Sequence, residues 1–285
     1  MRLGAVERAT LLSDEEEAVL RFIVRMMDER ELVPLSLVRS SFGLRERESL
    51  EVTDRLYRLR LVSKDILLGE PAFRPTFAGL DALAIRDLIG RKVVKSISAV
   101  VGEGKESSVY LGYSPDDMPL AIKFLRVGRS SYKNARKLRG YREKVSWIRV
   151  SIDSAKNEFE TLKCVKENYG YVPEPKGHSY NAVAMEFIEG QKLLYAEPER
   201  PKEVLDTILA TERVSYLFCG KAHGDLSEYN VLVNGNTPYV IDWPQADRDE
   251  DLLRRDIYNI SYYFFKKYGI EIDIDAAMKY VKGEA

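Results

Sequence analysis

H-G-D-L-S-E-Y-N-V-L-V at residues 223–233, followed by Y-V-I-D-W at 239–243, decides how this chain is read. The first stretch sets Asp225 and Asn230 five residues apart and runs into an apolar strand. The second lies one short hairpin later and ends its own apolar strand on a carboxylate, Asp242. An aspartate placed like Asp225 can accept or orient the proton of an attacking hydroxyl, help worth roughly 10²–10⁴-fold. Asn230 and Asp242 offer the hard oxygen ligands that a divalent cation takes. The plain alternative is a polar turn ahead of a strand, and the residues upstream weigh against it.

Those upstream residues come in a fixed order. V-V-G-E-G-K-E-S-S-V-Y at 100–110 separates two strand patterns, and Gly102 and Gly104 let a backbone come close to phosphates. It is not a Walker A loop, because Gly104-Lys105 is followed by Glu106 rather than Ser or Thr. It resembles a kinase glycine-rich loop with Ser107 at the third glycine position. One hairpin later, A-I-K at 121–123 puts Lys123 on a strand, where it resembles the kinase lysine on the α- and β-phosphates. Of the acids on the next helix, Glu158 suits that lysine better than Glu160. M-E-F-I at 185–188 resembles the segment joining two kinase lobes, with the Glu186 and Ile188 backbone toward adenine and Met185 behind it. H-G-D-L-S-E-Y-N itself has the spacing of a kinase catalytic loop. His223 resembles its first residue, which supports the loop rather than reacts; His178 reads as an ordinary strand or loop residue.

The N-terminal residues are of another kind. Ser13 and Glu16 have capping-box spacing, and Val19, Leu20, Ile23, Met26 and Met27 form a helical stripe. P-L-S-L-V-R-S-S-F predicts a second short helix stopped by Gly43. A third covers R-E-R-E-S-L-E-V-T-D-R-L-Y-R-L-R-L-V, with Leu56, Leu59 and Val62 as core contacts. Two apolar runs around Gly69-Glu70-Pro71 predict a hairpin, and Thr76 caps a last helix carrying Leu80, Leu83, Ala84 and Leu88. Helices, hairpin, helix is the order of a winged helix. Arg45, Arg47, Arg55, Arg58 and Arg60 crowd the third helix, as in a groove-entering element, though Glu46, Glu48, Glu51 and Asp54 interleave with them.

Composition sets the outer bounds. The chain has 285 residues, 45% hydrophobic and 31% charged, with a net charge of −1, so any nucleic-acid contact must come from a local patch. One such patch is Arg126–Val150, with nine Lys or Arg against Glu143 alone; it is expected to act as a basic flap carrying Ser130 and Ser131 as self-phosphorylation sites. Cys164 and Cys219 lie far apart with no CxxC pairing, which predicts two buried thiols in a reducing compartment. No apolar run reaches the roughly 20 residues of a membrane span, so the expectation is a cytoplasmic protein with no membrane partner.

Taken in order, G-K-E-S-S-V-Y, A-I-K-F, S-W-I-R-V-S-I-D-S-A-K-N-E-F, M-E-F-I-E-G, H-G-D-L-S-E-Y-N-V-L-V, I-D-W-P-Q and L-L-R-R-D-I-Y-N-I resemble the RIO family of atypical protein kinases, in particular its second type. The resemblance runs over nearly the whole chain. It implies an α+β protein: a winged helix at 1–90, then a bilobal kinase-like domain at 91–285. Within the latter it implies a small β-rich lobe at 91–184, a hinge at 185–190 and a mostly helical lobe at 191–285. It implies ATP with Mg²⁺ or Mn²⁺, serine phosphorylation of a protein or of the chain itself, and work on the small ribosomal subunit precursor and its RNA. It also implies ATPase action through a phosphorylated Asp242. Its nucleotide would meet Gly102, Gly104, Lys105, Glu106, Ser107, Val109, Lys123, Glu158, Met185, Glu186, Ile188 and Ile241. The catalytic residues would be Asp225, Asp242 and Lys123, and the metal ligands Asn230 and Asp242. Trp243-Pro244 follows the metal aspartate and no activation segment comes after it, which puts a conventional peptide groove in doubt. Two other readings remain: a small-molecule phosphotransferase of the aminoglycoside or choline kinase type, and a non-catalytic RNA-binding adaptor.

Overall fold

The computed structural model describes residues 3–128 and 147–284. Most of the predicted basic flap, with Ser130 and Ser131, lies outside the described residues. The described chain is α+β, as expected. It packs as two compact units: the described residues within Met1–Asp117, Lys123–Asp153 and His178–Ala182, and those within Met118–Ile122, Ser154–Gly177 and Val183–Ala285.

The first unit begins with α1 (Ala5–Leu11) and α2 (Asp14–Met26). Ser13 and Glu16 close the expected capping box on α2, and Val19, Leu20 and Ile23 are buried. A short β1 (Val33–Pro34) leads into α3 (Leu35–Phe42), which Gly43 ends in the left-handed conformation, φ 64°. Then come α4 (Glu46–Arg58), β2 (Val62–Leu67), β3 (Glu70–Pro75) and α5 (Phe77–Gly90). β1, β3 and β2 form an antiparallel sheet in that order. Leu68 and Gly69 turn the hairpin with positive φ at both, the backbone of a two-residue turn that matches strand twist. Thr76 accepts from Gly79 N–H and caps α5, whose Leu80, Leu83, Ala84 and Leu88 are fully buried. One core expectation is corrected. Leu59 is the C-cap of α4 and only half-buried; Leu61, just past the helix end, takes the core position with Leu56 and Val62.

The same unit holds β4 (Ser96–Glu103) and β5 (Ser107–Tyr113), an antiparallel pair with irregular register near Val100 and Gly102. A buried polar network ties α5 to the residues after the next strand. Asp81, 2% exposed, accepts from Arg126 Nη2 at 2.5 Å and from Asn181 Nδ2 at 2.8 Å. Arg126 in turn donates its backbone N–H to Glu106 O at 2.6 Å. Burial pushes the Asp81 carboxyl up, while the Arg126 charge and the two hydrogen bonds hold it down.

β6 (Pro119–Leu125), β7 (Pro175–Ser179) and β8 (Ala182–Glu186) each run from one unit into the other, and with β4 and β5 they form a sheet of order β4-β5-β6-β8-β7. Between β6 and β7 lies α6 (Trp147–Glu167), which carries Glu158. The second unit continues with β9 (Gln191–Lys192), α7 (Pro201–Val214), a π-helical turn at Ser215–Cys219, β10 (Val231–Asn234), β11 (Thr237–Val240), α8 (Glu250–Tyr268) and α9 (Ile274–Lys282). β11, β10 and β9 form a small antiparallel sheet. The expectation of two buried thiols is overturned. Cys164 on α6 and Cys219 at the end of the π-turn are half-buried and joined as a disulfide, Cα atoms 5.9 Å apart. Each sits on its own helical element, and tertiary folding alone brings them together.

Candidate active site

The catalytic loop of the second unit is built from its backbone outward. Gly224 sits at φ +86°, and a Cβ there would lie 2.9 Å from Gln245 O, so only glycine fits. His223 is fully buried, its ring 4.5 Å from that of Trp243. Its Nδ1 accepts Asp225 N–H at 3.2 Å, which leaves Nε2 as the donor to Ile241 O at 2.9 Å. His223 therefore supports the loop, as expected, and ties it to the residue before Asp242.

Asp225 is exposed, which leaves its carboxylate open to a reactant. Asn230 Nδ2 donates to Asp225 O at 2.8 Å and to its Oδ2 at 3.2 Å. With both of these bonds made by the amide nitrogen, the Asn230 Oδ1 is the atom left for a cation. Partial burial pushes the Asp225 carboxyl up, and the negative charge of Asp242 adds to this against the Asn230 hydrogen bond. Ile241 N–H donates to Asn230 O at 2.9 Å, so the hairpin end that carries Asp242 is fixed to the loop end that carries Asn230. Asp242 itself has φ +72°, sparsely populated for a residue with a Cβ and found where surrounding structure over-determines the backbone.

Residues without a role in the sequence reading hold this loop in place. Asp256 on α8 accepts Gly224 N–H at 2.6 Å and Leu226 N–H at 2.9 Å. Glu212 on α7 accepts His223 N–H at 2.9 Å, and Arg255 donates to Gly224 O. Asn157 on α6 donates to Pro244 O at 3.2 Å and Ala246 O at 3.0 Å, and accepts from Lys221 Nζ at 2.6 Å. A signal for Glu212 was present: it continues the buried stripe Leu205, Ile208 and Leu209 at helical spacing, an acid where a core residue belongs. Asp256 sits in R-R-D at 254–256, where spacing alone assigns it no task.

At the end of β8, Met185 and Ile188 are buried. Glu186 N–H is taken by Glu174 O at 2.8 Å, whereas Ile188 N–H has no acceptor among the described residues. Gly190 is packed against Val233, whose carbonyl oxygen would be 2.8 Å from a Cβ.

In the first unit, Gly102 lies near the end of β4, Gly104, Lys105 and Glu106 form the loop between β4 and β5, and Ser107 and Val109 begin β5. Gly104 N–H bonds to Ser107 O at 2.8 Å. Neither glycine is demanded by the protein's own packing: a Cβ on Gly102 would meet Val109 at 3.8 Å, and one on Gly104 would meet Ser107 O at 3.6 Å. Among the described residues, nothing packs closely on either glycine. Lys123 on β6 is 7% exposed and Glu158 on α6 is 0% exposed, burial that neither type of side chain tolerates without a partner.

Fold and loop chemistry define a phosphotransferase domain of the protein-kinase kind. The RIO domain family model matches residues 108–277. A relative from Methanocaldococcus jannaschii, described as RIO-type serine/threonine-protein kinase Rio2, is 32% identical over 281 residues, covering 90% of this chain and 99% of its own. The Caenorhabditis elegans serine/threonine-protein kinase RIO2 is 31% identical over 269 residues; this chain spans 51% of its length. The crystal structure of a Rio2 kinase–ADP/Mg²⁺–phosphoaspartate complex from Chaetomium thermophilum shares the fold, with TM-score 0.78, 23% identity, and coverage of 95% of this chain and 87% of that one. The chain belongs to the RIO family of atypical serine/threonine kinases and is of the Rio2 type.

Proposed function

We propose that this kinase uses ATP with Mg²⁺ (or Mn²⁺), phosphorylates serine on a protein or on itself, also turns ATP over to ADP, and acts in maturation of the small ribosomal subunit. The observation that carries the nucleotide chemistry is the arrangement of Asp225, Asn230 and Asp242, one loop and one hairpin end tied together by Ile241 N–H and the His223 ring. The donor set fits Mg²⁺, which takes few protein ligands and keeps phosphates and water for the rest: Asn230 Oδ1 and the Asp242 carboxylate suffice. When bound, the ion neutralises charge on the phosphates. The chain's own residues do the remainder. Asp225 orients the attacking hydroxyl, Gly102 and Gly104 receive phosphates, and Lys123 supplies positive charge. The free Ile188 N–H is a hydrogen-bond donor for an adenine edge, with Met185, Glu186 and Ile241 around it. The fungal relative crystallised with a phosphoaspartate, and Asp242 is the equivalent candidate here.

We further propose residues 1–90 and 91–285 as the two domains by descent, a cytoplasmic location, and pre-ribosomal RNA as partner. Three of the five α4-region arginines already sit in ion pairs, Arg45–Glu48, Arg47–Glu51 and Arg55–Glu16, so RNA would have to compete with them. The central test is turnover of labelled ATP. Phosphate on the protein should be hydroxylamine-labile and absent from Asp242→Ala. Finding only hydroxyl-linked phosphate during turnover would remove the aspartyl route and leave the serine kinase.

A further inference from the structure

Two buried carboxyl groups grip the catalytic loop from different helices. Glu212 on α7 is 1% exposed and Asp256 on α8 is 0% exposed. Between them they accept the N–H groups of His223, Gly224 and Leu226, which bracket Asp225. Both Asp256 oxygens are used in this way, at 2.6 and 2.9 Å. Glu212 uses Oε1 only; its Oε2 is buried with no hydrogen-bond partner among the described residues. The charged and titratable groups around the pair are His223 on the loop and Arg255 on α8, whose guanidinium is committed to Gly224 O. α9 and β11 also pack on α7. α9 brings Tyr280 to Arg213 rather than to Glu212, and the titratable group of β11 is Tyr239. No described lysine or arginine forms an ion pair with Glu212.

An ionised carboxylate buried beside another, with one oxygen unsatisfied, is untenable by several kcal/mol, and such groups take up a proton instead. We propose that Glu212 is a positioning residue held as a neutral carboxylic acid, so that Glu212 and Asp256 together carry one proton and one negative charge and fix the loop around Asp225. The proton belongs on Glu212. Asp256 accepts two N–H bonds, which favour its charged form, whereas Glu212 accepts one and has a free oxygen to protonate. Burial, followed by the charge of Asp256, pushes the Glu212 carboxyl well above its usual range, and burial raises Asp256 as well. The titration belongs to the pair rather than to either residue.

This inference rests on Asp225 as the reacting group only for its catalytic consequence; the protonation itself is read without turnover. Glu212→Gln keeps an oxygen acceptor for His223 N–H and replaces the acid proton by an amide donor. Because the folded pair binds its proton more tightly than the unfolded chain, the contribution to stability is complete at low pH and is lost as pH rises toward the folded value. The experiment is thermal unfolding of the full chain, wild type against Glu212→Gln, between about pH 5 and about pH 8. The midpoint of Glu212→Gln should rise relative to wild type as pH increases, and infrared difference spectra at neutral pH should show a protonated-acid carbonyl band missing from the variant. In autophosphorylation, Glu212→Ala, which strands a buried N–H, should lower kcat roughly tenfold with KM for ATP unchanged, and Glu212→Gln should restore most of it. A midpoint difference that is flat with pH, or a missing carbonyl band, would overturn the proposal. So would a Glu212→Gln defect as deep as that of Glu212→Ala. The pH series needs only Glu212→Gln, so an alanine variant that fails to fold leaves the test intact. Loss of ATP turnover in wild type would strike the function proposed above and not the shared proton.

Discussion

Asp225 keeps part of its side chain in solvent while the N–H groups of His223, Gly224 and Leu226 beside it are held by Glu212 and Asp256. That division of labour makes a sharp expectation. Asp225→Asn keeps the shape, so nucleotide affinity by calorimetry should stay near wild type. kcat should fall by roughly 10²–10⁴, the usual worth of a positioned acid–base group. A kcat unchanged in the variant would remove Asp225 from catalysis. Asp242 should behave differently: Asp242→Ala removes a proposed metal ligand, so ATP·Mg²⁺ binding itself should weaken. Asp225, Asn230 and Asp242 were legible in the sequence because their chemistry is carried by residue type and short spacing. Glu212 carried only the signal of an acid on an apolar stripe, and Asn157 carried none: each depends on a partner more than ten residues away, which neither helical spacing nor residue type names.

Among the elements, α5 offers a case where two rules disagree. Gly79 lies in the first turns of the helix, where alanine is normally better by about 1 kcal/mol. Yet a Cβ at that position would lie 2.3 Å from Leu61 O, the carbonyl that accepts from Thr76 N–H and its hydroxyl. The contact outweighs propensity, so Gly79→Ala should destabilise by about 1–3 kcal/mol in chemical denaturation, with the hairpin and α5 pushed apart. An Asp81→Ala change should cost a similar amount, about 1–3 kcal/mol, because it takes a buried acceptor from the Asn181 amide and the carboxylate partner from the partly exposed Arg126. The helices and hairpin of this region were legible because caps and turns are local: Ser13, Gly43, Gly69 and Thr76 all do what their types suggest. Leu59 and Leu61 were exchanged because the helix stops between them, and where periodicity ends a stripe no longer predicts a face.

For the molecule as a whole, the expected order of elements is the observed one: the β4–β5 hairpin with its glycines, the strand of Lys123, the helix of Glu158, the 185–190 segment, the loop of Asp225 and the hairpin that ends at Asp242. Compactness follows other lines. Residues before Gly90 share a unit with β4 and β5, and Asp81, Arg126 and Asn181 are bonded within it, so a cut in composition is not a cut in packing. The Cys164–Cys219 link was the largest surprise, since no local spacing can report a bond between elements 55 residues apart. In the chain-entropy account, closing a loop of that length is worth about 4 kcal/mol, so reduction should lower the unfolding free energy by up to that amount. The same link makes residues 164–219 a covalent ring, threaded through β7, β8 and the joining segment at 185–190. A protease that cuts once inside this ring adds a water molecule and releases nothing. In an intact-mass spectrum the nicked protein should be 18 Da (one water) heavier than the uncut chain, and it should fall into two polypeptides only when a reductant is added. Were the two pieces to separate without reductant, the ring would be open in solution.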